Sequence, residues 1–244
     1  MSPKCRDPKQ NHLLDALPAD EWAMFEPHAE PIDLNLGDVI YESGRDQPYV
    51  YFPTDSIISL LYVMEDGSSA EIAIVGFEGL VGISLFMGGD TTPSRAVVQS
   101  AGGAFRIRGK AVRDAFVRSV STQQLFLRYT QALLTQMGQT AVCNRHHNVD
   151  QQLCRWLLMS LDRLSSNELT MTQELISNML GVRREGVTEA AGKLQRAGVI
   201  EYSRGRILVL DRSRLESMAC ECYDVVRREF ARLLPWEVPK KEPA

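Results

Sequence analysis

The stretch that constrains this chain most runs from Thr170 to Arg206, TMTQELISNMLGVRREGVTEAAGKLQRAGVIEYSRGR. Thr172, or Thr170 with Gln173 at the capping-box offset, offers a hydroxyl to the unpaired amides of a first helical turn. Ile176, Met179 and Leu180 recur at helical spacing, and Gly181 stands where a helix stops with positive φ, leaving Val182 to tuck between two helices. A second helix from about Arg183 to Ala197 sets Val187, Ala190, Ala191 and Leu194 on one face, at offsets of three, four and seven residues. Gly198 ends it. Val199 to Tyr202 and Ile207 to Leu210 then flank Ser203-Arg204-Gly205-Arg206 as two strands and a tip.

Two short helices, a tight glycine turn and a hairpin are the layout of a winged helix-turn-helix. The polar face of the second helix carries Glu185, Glu189 and Arg196, flanked by Thr188 and Lys193, with Arg183 and Arg184 at its N-terminal tip. Arginine can hold guanine O6 and N7 with two hydrogen bonds, and glutamate can accept from cytosine N4. Arg204 and Arg206 suit phosphate contact from the wing, and Thr172 and Gln173 border the same surface. A plainer account makes the glutamates complements of the helix dipole and the arginines a solvated face. The wing that follows weighs toward double-stranded DNA.

Net charge is −4, yet from Glu168 to Arg214 eight basic residues face six acidic ones. Affinity for phosphates follows the charge presented locally, so an acidic body with a mildly basic head is compatible with DNA binding and predicts strong salt dependence. No apolar run approaches the ~20 residues of a membrane span, and the polar start MSPKCRDPKQNH lacks a signal-peptide core, so a cytoplasmic protein is expected. The odd set Cys5, Cys143, Cys154, Cys220 and Cys222 argues against a disulfide framework. On a continuous helix Cys220 and Cys222 would face different directions, which makes them packing residues and not a metal clasp. With no second cysteine near Cys5, an N-terminal iron–sulfur centre is not expected.

Earlier in the chain, residues 1 to 12 read as disordered and Leu13 to His28 as one or two short helices around Pro18. Ile32-Asp-Leu, Val39-Ile-Tyr, Tyr49 to Phe52, Ile57 to Val63, Ala70 to Val75, Arg95 to Gln99 and Phe105 to Ile107 are candidate strands, with Asp66-Gly67 the firmest hairpin turn. Such spacing predicts a β jelly roll. A metalloenzyme of this architecture would need histidines on its strands, whereas His12, His28, His146 and His147 all lie elsewhere, so neither an enzyme nor a metal is expected. Lys110 to Arg118 reads as a short helix and Thr122 to Asn144 as a long one. Phe126, Leu133, Leu134, Met137, Ala141 and Val142 form its apolar stripe, which points to a homodimer seam in preference to packing on its own barrel. His146-His147-Asn148 makes a polar elbow before a helix over Asp150 to Leu164. Arg212 to Leu234 reads as one final helix, and Pro235 to Ala244 as a frayed tail.

Barrel, long helix, elbow and winged head in this order resemble the Crp/Fnr family of bacterial transcription regulators. The similarity is strongest in Leu180-Gly-Val-Arg-Arg-Glu-Gly-Val-Thr-Glu and in Leu36-Gly-Asp-Val-Ile-Tyr-Glu-Ser-Gly. It implies an α+β fold in three parts: a cyclic-nucleotide-binding-type jelly roll over 13–120, a dimerisation helix and hinge over 121–147, and a winged helix-turn-helix with a C-terminal helix over 148–234. By the same match Arg184 and Glu185 read bases and RNA polymerase is a partner, while Phe126, Leu133 and Met137 of the apolar stripe are the residues expected to join two copies. Glu189 stands where the cyclic-AMP receptor has another arginine. The effector pocket falls at Gly82, Ile83, Ser94 and Arg95. There Ile83 cannot accept from a ribose hydroxyl and Arg95 comes one place late, which argues against cyclic AMP and leaves the effector unnamed.

Overall fold

Short strands separated by turns make up most of the first half of the chain. The computed structural model describes residues 7–234; Cys5 and the tail from Pro235 lie outside the described residues. Two short helices, α1 (His12–Asp15) and α2 (Ala19–Phe25), lead into strands β1 (Glu30–Leu34), β2 (Val39–Tyr41), β3 (Tyr49–Pro53), β4 (Ile57–Val63) and β5 (Ser69–Val75). After helix α3 (Ser84–Met87) come β6 (Arg95–Ser100) and β7 (Gly102–Arg108). The strands form two antiparallel sheets, ordered β1-β7-β3 and β2-β6-β4-β5, which is the expected jelly-roll-like layout. Residues 7–12 are ordered, contrary to expectation. The buried Asn11 side chain donates to the carbonyls of Pro53 and Gly79, both at 2.8 Å, and accepts from the amides of Leu13 and Leu14.

Helix α4 (Gly109–Arg118) is followed by α5 (Val120–His146), 27 residues long. Its inner face, including Phe126, Tyr129, Ala132 and Leu133, is buried within the chain's own core. The elbow at His147 opens α6 (Val149–Leu161), whose start is fixed by a capping box between Asn148 and Gln151. Strand β8 (Glu168–Thr170), unforeseen in the sequence, then precedes α7 (Gln173–Leu180), α8 (Arg184–Arg196), β9 (Ile200–Ser203) and β10 (Arg206–Val209). These three strands form a sheet ordered β8-β10-β9. The single final helix is in fact two, α9 (Arg212–Met218) and α10 (Cys222–Leu233), because Ala219 turns to extended backbone at ψ 161°. That break lets α10 lie along α5, and it brings Cys220 and Cys222 together instead of apart.

The barrel and α6 share a buried polar chain. Glu71 accepts from Trp156 Nε1 at 3.0 Å and lies 2.5 Å from Ser59 Oγ, which is also 2.9 Å from Gln99 Oε1. Gln99 in turn donates to Ser160 Oγ at 2.9 Å. Ser59 has one proton and two acceptors, so the chain closes either with Glu71 protonated and donating to Ser59 or with the Gln99 amide turned to donate to it. Burial pushes the Glu71 carboxyl up to about 7, against the pull of Ser59, Arg155, Trp156 and Arg163. A carboxyl raised in the folded state stabilises below its unfolded pKa and loses that contribution as pH rises through the folded one. Between about pH 4.5 and 7 the loss is roughly 3 kcal/mol. Glu71→Gln, which keeps a donor toward Ser59, is therefore expected to flatten this part of the stability–pH profile. Urea midpoints across that range check it, and an unchanged slope counts against a protonated Glu71.

Candidate nucleic-acid interface

Thr172 caps α7 by accepting from the amide of Leu175 at 3.2 Å, and Gly181 ends it at φ +64°. A Cβ on Gly181 would also sit 3.2 Å from that of Ala70 on β5, so the turn is pressed against the barrel as well as left-handed. Helix α8 buries Val187, Ala190, Ala191 and Leu194, as its spacing required. What remains outside is the reading face: Arg183, Arg184, Glu185, Thr188 and Glu189 are all exposed around its first two turns. Gly186 faces Val149 of α6 at 3.8 Å from an added Cβ, which identifies its neighbour as a helix of the same head.

Gln173 and Thr188 tie the two helices together. Thr188 Oγ1 lies 2.8 Å from the Gln173 side-chain amide and donates to the carbonyl of Arg184 at 3.0 Å. Both contacts are satisfied with the amide turned so that its nitrogen donates to the hydroxyl. The wing tip is a two-residue turn in which Arg204 has φ +50° and Gly205 φ +78°, the pattern of a type I′ hairpin. It is held to the foot of α7 by the Met171 amide donating to Gly205 at 2.7 Å and by Tyr202 Oη donating to Met171 at 3.1 Å.

Two residues expected on this surface are engaged elsewhere. Lys193 pairs with Asp150 of α6 at 3.0 Å and with Glu189 at 3.1 Å, on the flank of α8 that packs against the head. Arg206 donates from Nε to Glu168 at 2.7 Å, across the unforeseen strand β8. Arg183, Arg184, Arg196 and Arg204 form no ion pair among the described residues, so these four present uncompensated charge.

Inside the barrel a cavity of about 170 Å³ is walled by Gly82, Ile83 and Ser94, three of the expected pocket residues, with Tyr41, Gln47 and Thr92. Arg95 is not among its walls. It points to Glu42, with Nε at 3.1 Å from the carboxylate, because neighbouring residues of a strand face opposite sides. The walls carry no lysine or arginine. Ser94 is within 3.2 Å of Tyr41 Oη and 3.1 Å of Thr92 Oγ1, while the buried Gln47 Nε2 has no hydrogen-bond partner and leaves a donor for an occupant. Leu133 and Met137 of α5 close the far side. Phe126 and Leu133 are thus packed inside their own chain, which corrects their placing on a seam between copies, while Met137 is half-buried. The large exposed apolar residues of α5 are Val120 (68%), Leu127 (48%), Leu134 (55%) and Val142 (49%). Val120, Leu127, Leu134 and the exposed Ala141 recur every seven residues, a period that could have been read from the sequence. Burial pushes the Cys154 thiol up to about 12, so it holds its proton and is a poor candidate for a reactive thiol.

Residues 151–218 match the family model of the Crp-like helix-turn-helix domain. No curated protein matches the chain. Among solved structures, it is similar to FixK2 from Bradyrhizobium japonicum, at 16% identity over 79% of this chain and 98% of that one, with a TM-score of 0.66. TTHB099, a transcriptional regulator of the CRP family from Thermus thermophilus, gives 17% identity, coverage of 77% and 96%, and a TM-score of 0.66. CLP from Xanthomonas campestris, a global regulator responsive to c-di-GMP, gives 16%, 79% and 99%, and 0.61. Such likeness establishes a common fold. No helix among the described residues is long and apolar enough to cross a membrane.

Proposed function

We propose that this chain, which carries a Crp-like helix-turn-helix domain on the fold of the Crp/Fnr regulators, is a homodimeric transcription regulator that reads a two-fold operator. The observation that carries the reading is the unpaired cluster of Arg183, Arg184 and Glu185 at the tip of a helix whose other face is locked in the core. Two copies joined along Val120, Leu127, Leu134 and Ala141 of α5 would set two such tips on one side of a duplex, about 34–36 Å apart. RNA polymerase is the further partner this reading implies. The effector is a small molecule without net negative charge, since the cavity offers a donor from Gln47 and hydroxyls but no cation. Its occupant would touch Leu133 and Met137 and so bias the helix that bears the seam.

Selection of bound sites from a random duplex pool, followed by salt titration, tests the proposal. Arg184→Ala is expected to relax preference at one base position, costing ~1–3 kcal/mol there. Arg204→Gly removes the wing charge while keeping a residue suited to φ +50°, and is expected to weaken all sequences alike and lower the salt slope by about 1. Binding without salt dependence, or a recovered motif left unchanged by Arg184→Ala, would reject these roles.

A further inference from the structure

Where the long helix ends, two distant pieces of chain bring four metal-type donors together. Cys143 and His147 stand one turn apart at the end of α5, and Cys220 and Cys222 flank the break before α10. All four donor atoms lie within 4.8 Å of one another, and the three sulfurs are buried. Cys143 Sγ and Cys220 Sγ are 3.6 Å apart, and Cys222 Sγ and His147 Nδ1 are 3.4 Å apart. A tetrahedron with Zn–S near 2.3 Å and Zn–N near 2.05 Å has edges of about 3.8 Å between sulfurs and about 3.5 Å between sulfur and nitrogen. Two opposite edges of the cluster thus already have nearly the lengths that a single ion requires.

The surroundings fit the same chemistry. His147 Nε2 lies 3.3 Å from the Glu221 carboxylate, which fixes the tautomer that leaves Nδ1 free to ligate. Gln139 Nε2 donates to Cys222 Sγ at 3.1 Å, a contact that supports a thiolate. Thiols gathered only by burial have no need of an imidazole nitrogen turned toward them or of an amide donor.

We propose that Cys143, His147, Cys220 and Cys222 bind one thiophilic divalent ion, of the Zn²⁺ class, in a closed tetrahedral site. On binding, the three thiols release their protons to solvent and the neutral imidazole ligates through Nδ1. The ion joins the end of α5, the elbow residue and the start of α10. It therefore fixes the C-terminal helix to the hinge from which the head departs, whether or not the head binds DNA.

Titration of the reduced, metal-free full-length protein with Co²⁺ tests this. The expected result is saturation at one ion per chain, with the strong visible bands of a tetrahedral site and thiolate-to-cobalt charge transfer, all displaced by Zn²⁺. Cys222→Ser should lose the charge-transfer intensity of one thiolate, and Cys154→Ser should keep the full spectrum. Glu221→Gln alters an exposed carboxylate that pairs with the histidine, and should weaken zinc binding about 10–100-fold with an unchanged circular dichroism spectrum. Failure of the reduced wild-type protein to saturate, with a Cys143–Cys220 disulfide forming in air instead, would overturn the proposal. So would a full cobalt spectrum in Cys222→Ser.

Discussion

The paired substitution Leu127→Glu with Leu134→Glu is expected to give a folded monomer that grips a half-site but loses about 10²–10⁴-fold in apparent affinity for a two-site operator. Both side chains are half exposed in the single chain, so their removal leaves no cavity. Near a two-fold axis each residue meets its own copy or a close neighbour of it, so every glutamate sets like charges opposite one another in a contact that would otherwise exclude water. The loss at the operator follows from the missing second head, since a tethered partner raises the local concentration of its own half-site. Sedimentation and gel shifts on one-site and two-site duplexes measure both effects. A variant that remains dimeric, or a monomer that binds the two-site duplex as tightly as the wild type, would refute the seam.

The same helix shows where sequence reading stops. α5 carries apolar residues on two faces, and the expected stripe ran them together. Phe126 and Leu133 belong to the inner face with Leu125, Tyr129 and Ala132, while Leu127 and Leu134 belong to the outer one. Period alone cannot say which face meets the chain's own barrel. Strands such as β4 and the helices α7 and α8 were legible because short β-rich runs between turn residues, caps and glycine stops act within a few residues. The break between α9 and α10 has no glycine or proline to mark it, because Ala219-Cys220-Glu221 turns for the sake of packing against α5. With that break unread, Cys220 and Cys222 were placed on one helix and the cysteine–histidine cluster stayed hidden. The tip of α8 could be laid out from sequence for the opposite reason: the cap of α7, the glycine stop and the core face of α8 all lie between Thr170 and Arg206. The partners of Lys193 and Arg206, Asp150 and Glu168, come from elements outside that stretch and could not be read from it.

Arg163→Ala is expected to cost ~3–5 kcal/mol, far more than an exposed arginine such as Arg228. Arg163 follows α6 and is buried against the barrel, with Nε donating to Glu78 at 2.7 Å and Nη1 donating to the carbonyl of Met159 at 2.7 Å. Glu78 also accepts from the amide of Gly76, and a Cβ on Gly76 would lie 2.9 Å from the arginine stem, so backbone and side chain have closed on one another. The guanidinium lies 5.9 Å from the Phe230 ring of α10, which makes this one cation the meeting point of barrel, α6 and C-terminal helix. Removing it strands a buried carboxylate, and that uncompensated charge supplies most of the expected loss. Glu78→Gln with Arg163→Met takes away both charges while keeping volume, and should therefore recover much of the stability lost by Arg163→Ala. Denaturation midpoints for the single and paired variants decide between charge and packing. If the double variant is no more stable than Arg163→Ala, the latch between barrel and head is held by shape, and the ion pair adds little.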